Sequence, residues 1–247
     1  MFIGYGNNMW TTYNRRNKIE NVADNMQLIM KSLFNSILSV KKSYLYWCIN
    51  SNLISKKNYA YVERAFAYEL YFQWNMDKTI SGNPMFTMRK KYRINAEIRK
   101  EFMEKLNTRS NYGYPDMVLH GGNKSCKNYI VCEIKRKETV EIDKSSLVKD
   151  INKIGYFLRD DIHIKNIDLK WHGYKYGVFL LTGQYFQNGN VEIKETDVAD
   201  NLDVSKIRVK PELEKNLICA IYNGQNLKYC NLKNLKESIL IKTNNIK

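Results

Sequence analysis

Residues 116–136 read as two extended segments joined by a turn-rich loop, and the rest of the chain has to be arranged around that hairpin. Asp116–His120 and Asn128–Arg136 are apolar runs of strand character, separated by Gly121-Gly122-Asn123-Lys124-Ser125-Cys126-Lys127. Tyr114-Pro115-Asp116 opens the first run, and Glu133-Ile134-Lys135 closes the second. Side chains alternate along a strand, so Glu133 and Lys135 share one face while Ile130, Cys132 and Ile134 fill the other. Hairpin pairing then brings Asp116 beside Glu133. The pattern acid-x-Lys recurs at Asp168-Leu169-Lys170 and Glu192-Ile193-Lys194, but neither follows a Pro-Asp strand across a short loop.

Helical periodicity flanks the hairpin. From Lys18 to about Trp47, Ile19, Val22, Met26, Ile29, Leu33, Ile37, Val40 and Tyr44 recur at helical spacing, predicting one long helix or two short ones. A second helix is expected from about Tyr59 to Asn75, a strand near Tyr92–Ile98, a short helix at Lys100–Leu106 and a further helix at Ser145–Leu158. Tyr176–Leu181 suits a buried strand, and Leu217–Tyr222 with Leu227–Leu232 bracket Asn223-Gly224 as a hairpin. Residues 1–17 are polar and glycine-interrupted and read as a loose arm. The expectation is an α/β protein with a mixed central sheet flanked by helices. It divides into an N-terminal arm and helical extension (1–58) and a main domain (59–247).

Two carboxylates brought close repel unless a cation lies between them, and Mg2+ takes oxygen ligands of this kind, with Mn2+ as its usual substitute. Asp116, Glu133 and the backbone carbonyl of Ile134 would supply such ligands. Lys135, on the same face, would orient or deprotonate a water, or neutralise a phosphate oxygen. The bland alternative is a surface salt bridge between hairpin residues. The formal net charge of +15, from 40 Lys and Arg against 25 Asp and Glu, favours a polyanionic partner. Five cysteines without a CxxC pair and three scattered histidines give no zinc or disulfide pattern. No stretch is apolar for eighteen residues, so no membrane partner is expected and a cytoplasmic location is.

The order of these elements and their acidic residues resembles the PD-(D/E)XK nuclease superfamily, which has a restriction-endonuclease-like fold. The likeness runs from about Tyr59 to Leu181. KYRINAEIRK, HGG and CEIKR also look like an uncharacterised bacterial branch of that superfamily. The resemblance implies Asp116 and Glu133 as metal ligands, Lys135 as the catalytic lysine, and a supporting acid on the preceding helix, Glu63, as a further metal ligand. Of the two candidates in YVERAFAYELYFQW, Glu63 lies on the apolar stripe with Tyr59, Phe66, Ala67, Leu70 and Trp74, whereas Glu69 lies on a mixed flank. Glu97 is held with Glu69 as a reserve acid.

The expected activity is Mg2+-dependent hydrolysis of phosphodiester bonds in nucleic acid, with DNA favoured. Arg89, Lys90, Lys91, Arg93, Lys124, Lys127, Arg136, Lys137, Lys149 and Lys153 are the candidate phosphate contacts. A catalytically silent nucleic-acid-binding module of the same fold is the alternative. Another is a subunit of a mobile-element or defence assembly that forms a homodimer through the N-terminal helical region.

Overall fold

The computed structural model describes residues 9–45, 56–77, 92–96, 115–121, 127–137, 143–160, 172–185 and 191–244. Six strands form a mixed sheet: β2 (Tyr92–Ala96), β3 (Met117–Gly121), β4 (Asn128–Arg136), β5 (Tyr176–Thr182), β8 (Leu217–Tyr222) and β9 (Leu227–Asn231). The two-residue β1 (Thr11–Thr12) adds a seventh at one edge, giving the order β1-β9-β8-β5-β4-β3-β2. Pairing is antiparallel from β2 to β4, parallel from β4 through β5 to β8, and antiparallel out to β1. Two-residue strands β6 (Gln184–Tyr185) and β7 (Val191–Glu192) pair separately.

Helices cover both faces. On one lie α1 (Asp24–Ser39) and α2 (Lys56–Met76), whose Leu33, Phe34, Phe66 and Leu70 pack with Ile130, Cys132, Ile134 and Val178. On the other lie α3 (Lys144–Phe157) and α4 (Leu232–Asn244), packed with Val118, Val131, Phe179 and Cys219. The alternation expected for β4 therefore holds, since its even-numbered apolar residues meet α1 and α2 while Val131 meets α3. Asp143 caps α3, its carboxylate accepting from the Ser145 amide at 3.0 Å and hydroxyl at 2.6 Å. At Gly177 of β5, a Cβ would stand 2.1 Å from Ile154 Cγ2. That absence lets α3 press onto the sheet, and so places its polar margin beside β4.

The N-terminal region departs from expectation in two ways. α1 begins at Asp24, not Lys18, because Asn21 adopts a left-handed conformation (φ 61°). Ile19 and Val22 are nevertheless buried, since the Gln27 side chain accepts from the Ile19 amide and donates to the Ile19 and Val22 carbonyls. Apolar spacing thus continued past the real helix start. The arm, over its described part, is also not loose. Trp10 and Tyr13 are buried and Thr11–Thr12 pairs with β9.

Three tyrosine hydroxyls fasten this region down. Tyr176 accepts from the Ala23 amide, Tyr229 accepts from the Glu20 amide, and Tyr222 donates to the Val40 carbonyl. The apolar stripe of α1 faces the chain's own sheet, and Leu28 is a large apolar side chain left exposed on that helix. No described helix is long and apolar enough to cross a membrane. The helix expected at Lys100–Leu106 and the turn at Ser81–Pro84 lie outside the described residues.

Because α1 shares a core with β4 and β5, Leu33→Ala should lower the stability of the whole chain by about 3 kcal/mol. Urea unfolding followed by tryptophan fluorescence and by far-ultraviolet circular dichroism should give one coincident transition, shifted as a unit. A biphasic curve in which only one phase moves would contradict the shared core.

Candidate active site

β4 carries the chemistry on its α3 face. Glu133 sits mid-sheet between β3 and β5 and is 2% exposed. Asp116 precedes β3, and its carboxylate Oδ2 accepts from the Ile134 amide at 2.7 Å. Met117 pairs with Cys132, so the next positions set Asp116 opposite Glu133 and Pro115 opposite Ile134. The N–H and C=O of one strand residue point to the same edge, and proline has no N–H. Pro115 therefore offers no ladder donor to the Ile134 carbonyl, while Asp116 takes the matching amide. The Pro-Asp pair sets two carboxylates beside the Ile134 carbonyl, which receives no ladder amide from Pro115.

Lys135 lies on the same face as Glu133, with its ammonium 3.0 Å from Asp150 Oδ2 and 3.9 Å from Glu63 Oε2. Glu63 reaches the site around the end of β4, and its other oxygen accepts from the Arg136 amide at 3.2 Å. Glu69 accepts from Gln73 on its own helix. Glu97 is outside the described residues.

Asp150 and Lys153 complete the set from α3. Lys153 Nζ is 2.6 Å from Glu133 Oε2 and 3.8 Å from Asp150 Oδ1. Glu133 Oε1 is buried with no hydrogen-bond partner among the described residues. Sequence reasoning missed Asp150 altogether. Its signal was available, since it immediately precedes Ile151 on the margin of the Leu147, Ile151, Ile154 and Leu158 stripe.

The basic residues expected to meet phosphate separate into groups. Arg136 is buried on the opposite face, its guanidinium against the Leu45 carbonyl at 3.4 Å. Lys153 is enclosed in the acid cluster, with its side chain 12% exposed. Lys137 pairs with Asp197 at 3.3 Å and is largely covered. These three therefore do not form an open phosphate-binding surface, because each is engaged by packing or a carboxylate. Lys149 is exposed, 3.6 Å from Asp143. Lys127 is exposed at the amino end of β4, beside a cavity of about 840 Å³ that His172, Lys175 and Asn216 also line. That cavity is at the opposite end of the strand from the acids. Arg89, Lys90, Lys91, Lys124 and the side chain of Arg93 fall outside the described residues.

Electrostatics follow from burial. Burial pushes the Asp116 carboxyl up to about 6; the Ile134 amide, Lys153 and Lys135 oppose the rise and Asp150 adds to it. Burial also lifts Glu133 well above the usual carboxylate range, reinforced by the charges of Asp116 and Asp150 and opposed by Lys153. For Lys135 burial disfavours the ammonium, yet Asp150 and Glu63 together outweigh it and raise the pKa. Lys135 is thus held protonated. Of the roles left open by the sequence, orienting a water or neutralising a phosphate oxygen suits it, and general-base action does not.

The donors are all oxygen, two of their carboxyls resist ionisation without further positive charge, and the buried Glu133 Oε1 has no hydrogen-bond partner among the described residues. This donor set fits a hard divalent cation such as Mg2+. Among the described residues, no group of three or more His, Cys, Asp and Glu side chains is spaced to hold a metal ion. Glu63, expected as a further ligand, is instead turned to the Arg136 amide and Lys135, so the protein's share would be the two carboxylates and the Ile134 carbonyl. The chain matches no protein-family model, no curated protein and no solved structure.

A carboxyl whose folded pKa is raised favours the folded state below its ordinary value near 3.8 and loses that contribution as pH rises through about 6. Asp116→Asn keeps an acceptor for the Ile134 amide and removes the titration. Without metal, wild type should lose stability relative to this variant between pH 4 and 7, by at most about 3 kcal/mol, the full worth of a rise from 3.8 to about 6. Paired urea titrations across that range should show the gap; parallel pH profiles would mean that Asp116 ionises normally.

Proposed function

We propose that the protein is a divalent-cation-dependent nuclease of the PD-(D/E)XK type, acting on phosphodiester bonds of nucleic acid, with DNA as the proposed substrate. The observation that carries this reading is the convergence of Asp116, Glu133, Lys135 and Glu63 around one edge of β4, beside the Ile134 carbonyl. The succession α2, β2, β3, β4, α3, β5, with an antiparallel meander followed by a parallel crossover, supports it. So does the position of the acids toward the carboxyl end of β4, where sheets with parallel strands commonly place their ligand sites.

In this reading Asp116 and Glu133 bind the cation together with the Ile134 carbonyl. The cation, when bound, supplies a Lewis acid for the phosphate and lowers the pKa of a water at the site. Lys135, fixed by Asp150 and Glu63, presents a permanent positive charge to the scissile phosphate and to the attacking water. Glu63 holds the end of β4 through the Arg136 amide, and so keeps Lys135 and Glu133 in register. The net positive charge draws the polyanion in, with Lys149 among its exposed contributors.

One observation favours a catalytically silent binding module instead: Lys153 already neutralises Glu133 at 2.6 Å, as a purely structural ion pair would. Plasmid and oligonucleotide substrates with Mg2+ or Mn2+ separate the two. Cleavage by wild type should fall by at least about a hundredfold in Asp116→Asn, Glu133→Gln and Lys135→Ala, with binding largely retained. Wild type that binds nucleic acid with a steep salt dependence, yet cleaves no DNA or RNA substrate with either metal, would establish the silent module.

A further inference from the structure

The acid cluster holds more negative than positive charge. Glu63, Asp116, Glu133 and Asp150 stand against Lys135 and Lys153, with Arg136 turned to the other face. If all are ionised, two negative charges are left over, the amount one divalent cation would cancel. The two lysines differ in what they hold. Lys135 is set between Asp150 and Glu63, neither of which belongs to the proposed ligand pair. Lys153 is seated directly on Glu133, which does. A second seat lies alongside, because Asp150, one turn earlier on the same helix, offers Oδ1 at 3.8 Å. The Glu133 oxygen that Lys153 does not touch is the buried one without a hydrogen bond.

We propose that Lys153 is an internal counter-ion that occupies Glu133 in the metal-free protein and yields it to a divalent cation by moving toward Asp150. The inference rests on the metal-dependent reading of the site. A monovalent ammonium and a divalent cation cannot both hold one carboxylate closely without repelling each other, so metal binding has to work against this ion pair. Lys153 then sets the metal affinity, and Asp150 retains the displaced ammonium within the cluster where it stays near the substrate phosphate. Asp150 is a positioning residue for both lysines.

The test is Mn2+ binding to the full chain without nucleic acid, measured by paramagnetic resonance of free Mn2+ and by the Mn2+-induced rise in Tm. Lys153→Gln and Lys153→Met should bind Mn2+ about tenfold tighter or more than wild type, with a larger rise in Tm. Lys149→Gln, which removes the same charge one turn away at the surface, should change affinity by less than about twofold. Lys153→Arg, which keeps a cation and can grip Glu133 with two donors, should bind Mn2+ more weakly than wild type. A Lys153→Gln protein that folds only when Mn2+ is added also supports the exchange.

If wild type binds Mn2+ and neither the neutral variants nor Lys153→Arg alter its affinity, the counter-ion role is overturned while the metal site stands. If neither wild type nor any variant binds Mn2+ at millimolar concentration, the metal reading fails and takes this inference with it.

Discussion

A carboxylate buried in the middle of a β-sheet is the constraint around which this molecule is organised. Glu133 has strands on both sides and a helix over its face, and little solvent reaches it. Leaving such a charge uncompensated costs several kcal/mol, and replacing it with an apolar residue is usually easier than keeping it. Its setting therefore has to provide either a proton or positive charge. The protein does both in part: burial raises the Glu133 pKa, and Lys153 opposes the rise from 2.6 Å.

Each neighbouring element contributes to that compensation through its local sequence. Pro115 has no amide to give the Ile134 carbonyl, and the Asp116 side chain takes the Ile134 N–H. The Asp143 cap fixes where α3 starts, and Gly177 lets that helix approach closely enough for Asp150 and Lys153 to reach across to β4. From the other side of the sheet, α2 sends Glu63 past the strand end. Its own placement depends on Phe66, Leu70 and Trp74 packing against the same core as α1. The tyrosine hydroxyls that bind the N-terminal region to β5, β8 and β9 serve the site only indirectly, by keeping that layer in place.

Much of this was legible in the sequence where the signal is local. β4 was read to the residue, α3 and β5 to within one, and the β8–β9 hairpin was marked by Asn223-Gly224, where Gly224 has φ 83° and the Asn223 side chain accepts from two following amides. The shared face of Glu133 and Lys135 followed from strand alternation, and the choice of Glu63 over Glu69 from the helical stripe. What escaped depends on contacts between distant segments. Lys153 looked like an exposed lysine because nothing nearby in sequence reveals that its helix lies over Glu133. Asp150 was passed over for the same reason, although it borders an apolar stripe as Glu63 does. The start of α1 was misplaced because a Gln27 side chain, not a helix, satisfies the backbone around buried Ile19 and Val22.

Global and local charge point in opposite directions here, and that opposition bears on the proposed chemistry. A net charge of +15 attracts a polyanion from a distance, but screening confines its pull to roughly a Debye length at physiological salt. A phosphate that arrives at the edge of β4 meets an acid cluster rather than open cations, and every carboxylate that is ionised there repels it. The lysines inside the cluster answer this only partly, since each is already bound to an acid. A catalytic site for phosphodiesters built this way needs additional positive charge at the acids before substrate can be held there. A protein that merely bound nucleic acid would do better with an exposed arginine or lysine in place of each buried carboxylate. The retention of acids where a phosphate would have to come closest is the physical reason to favour cation-assisted hydrolysis over simple binding.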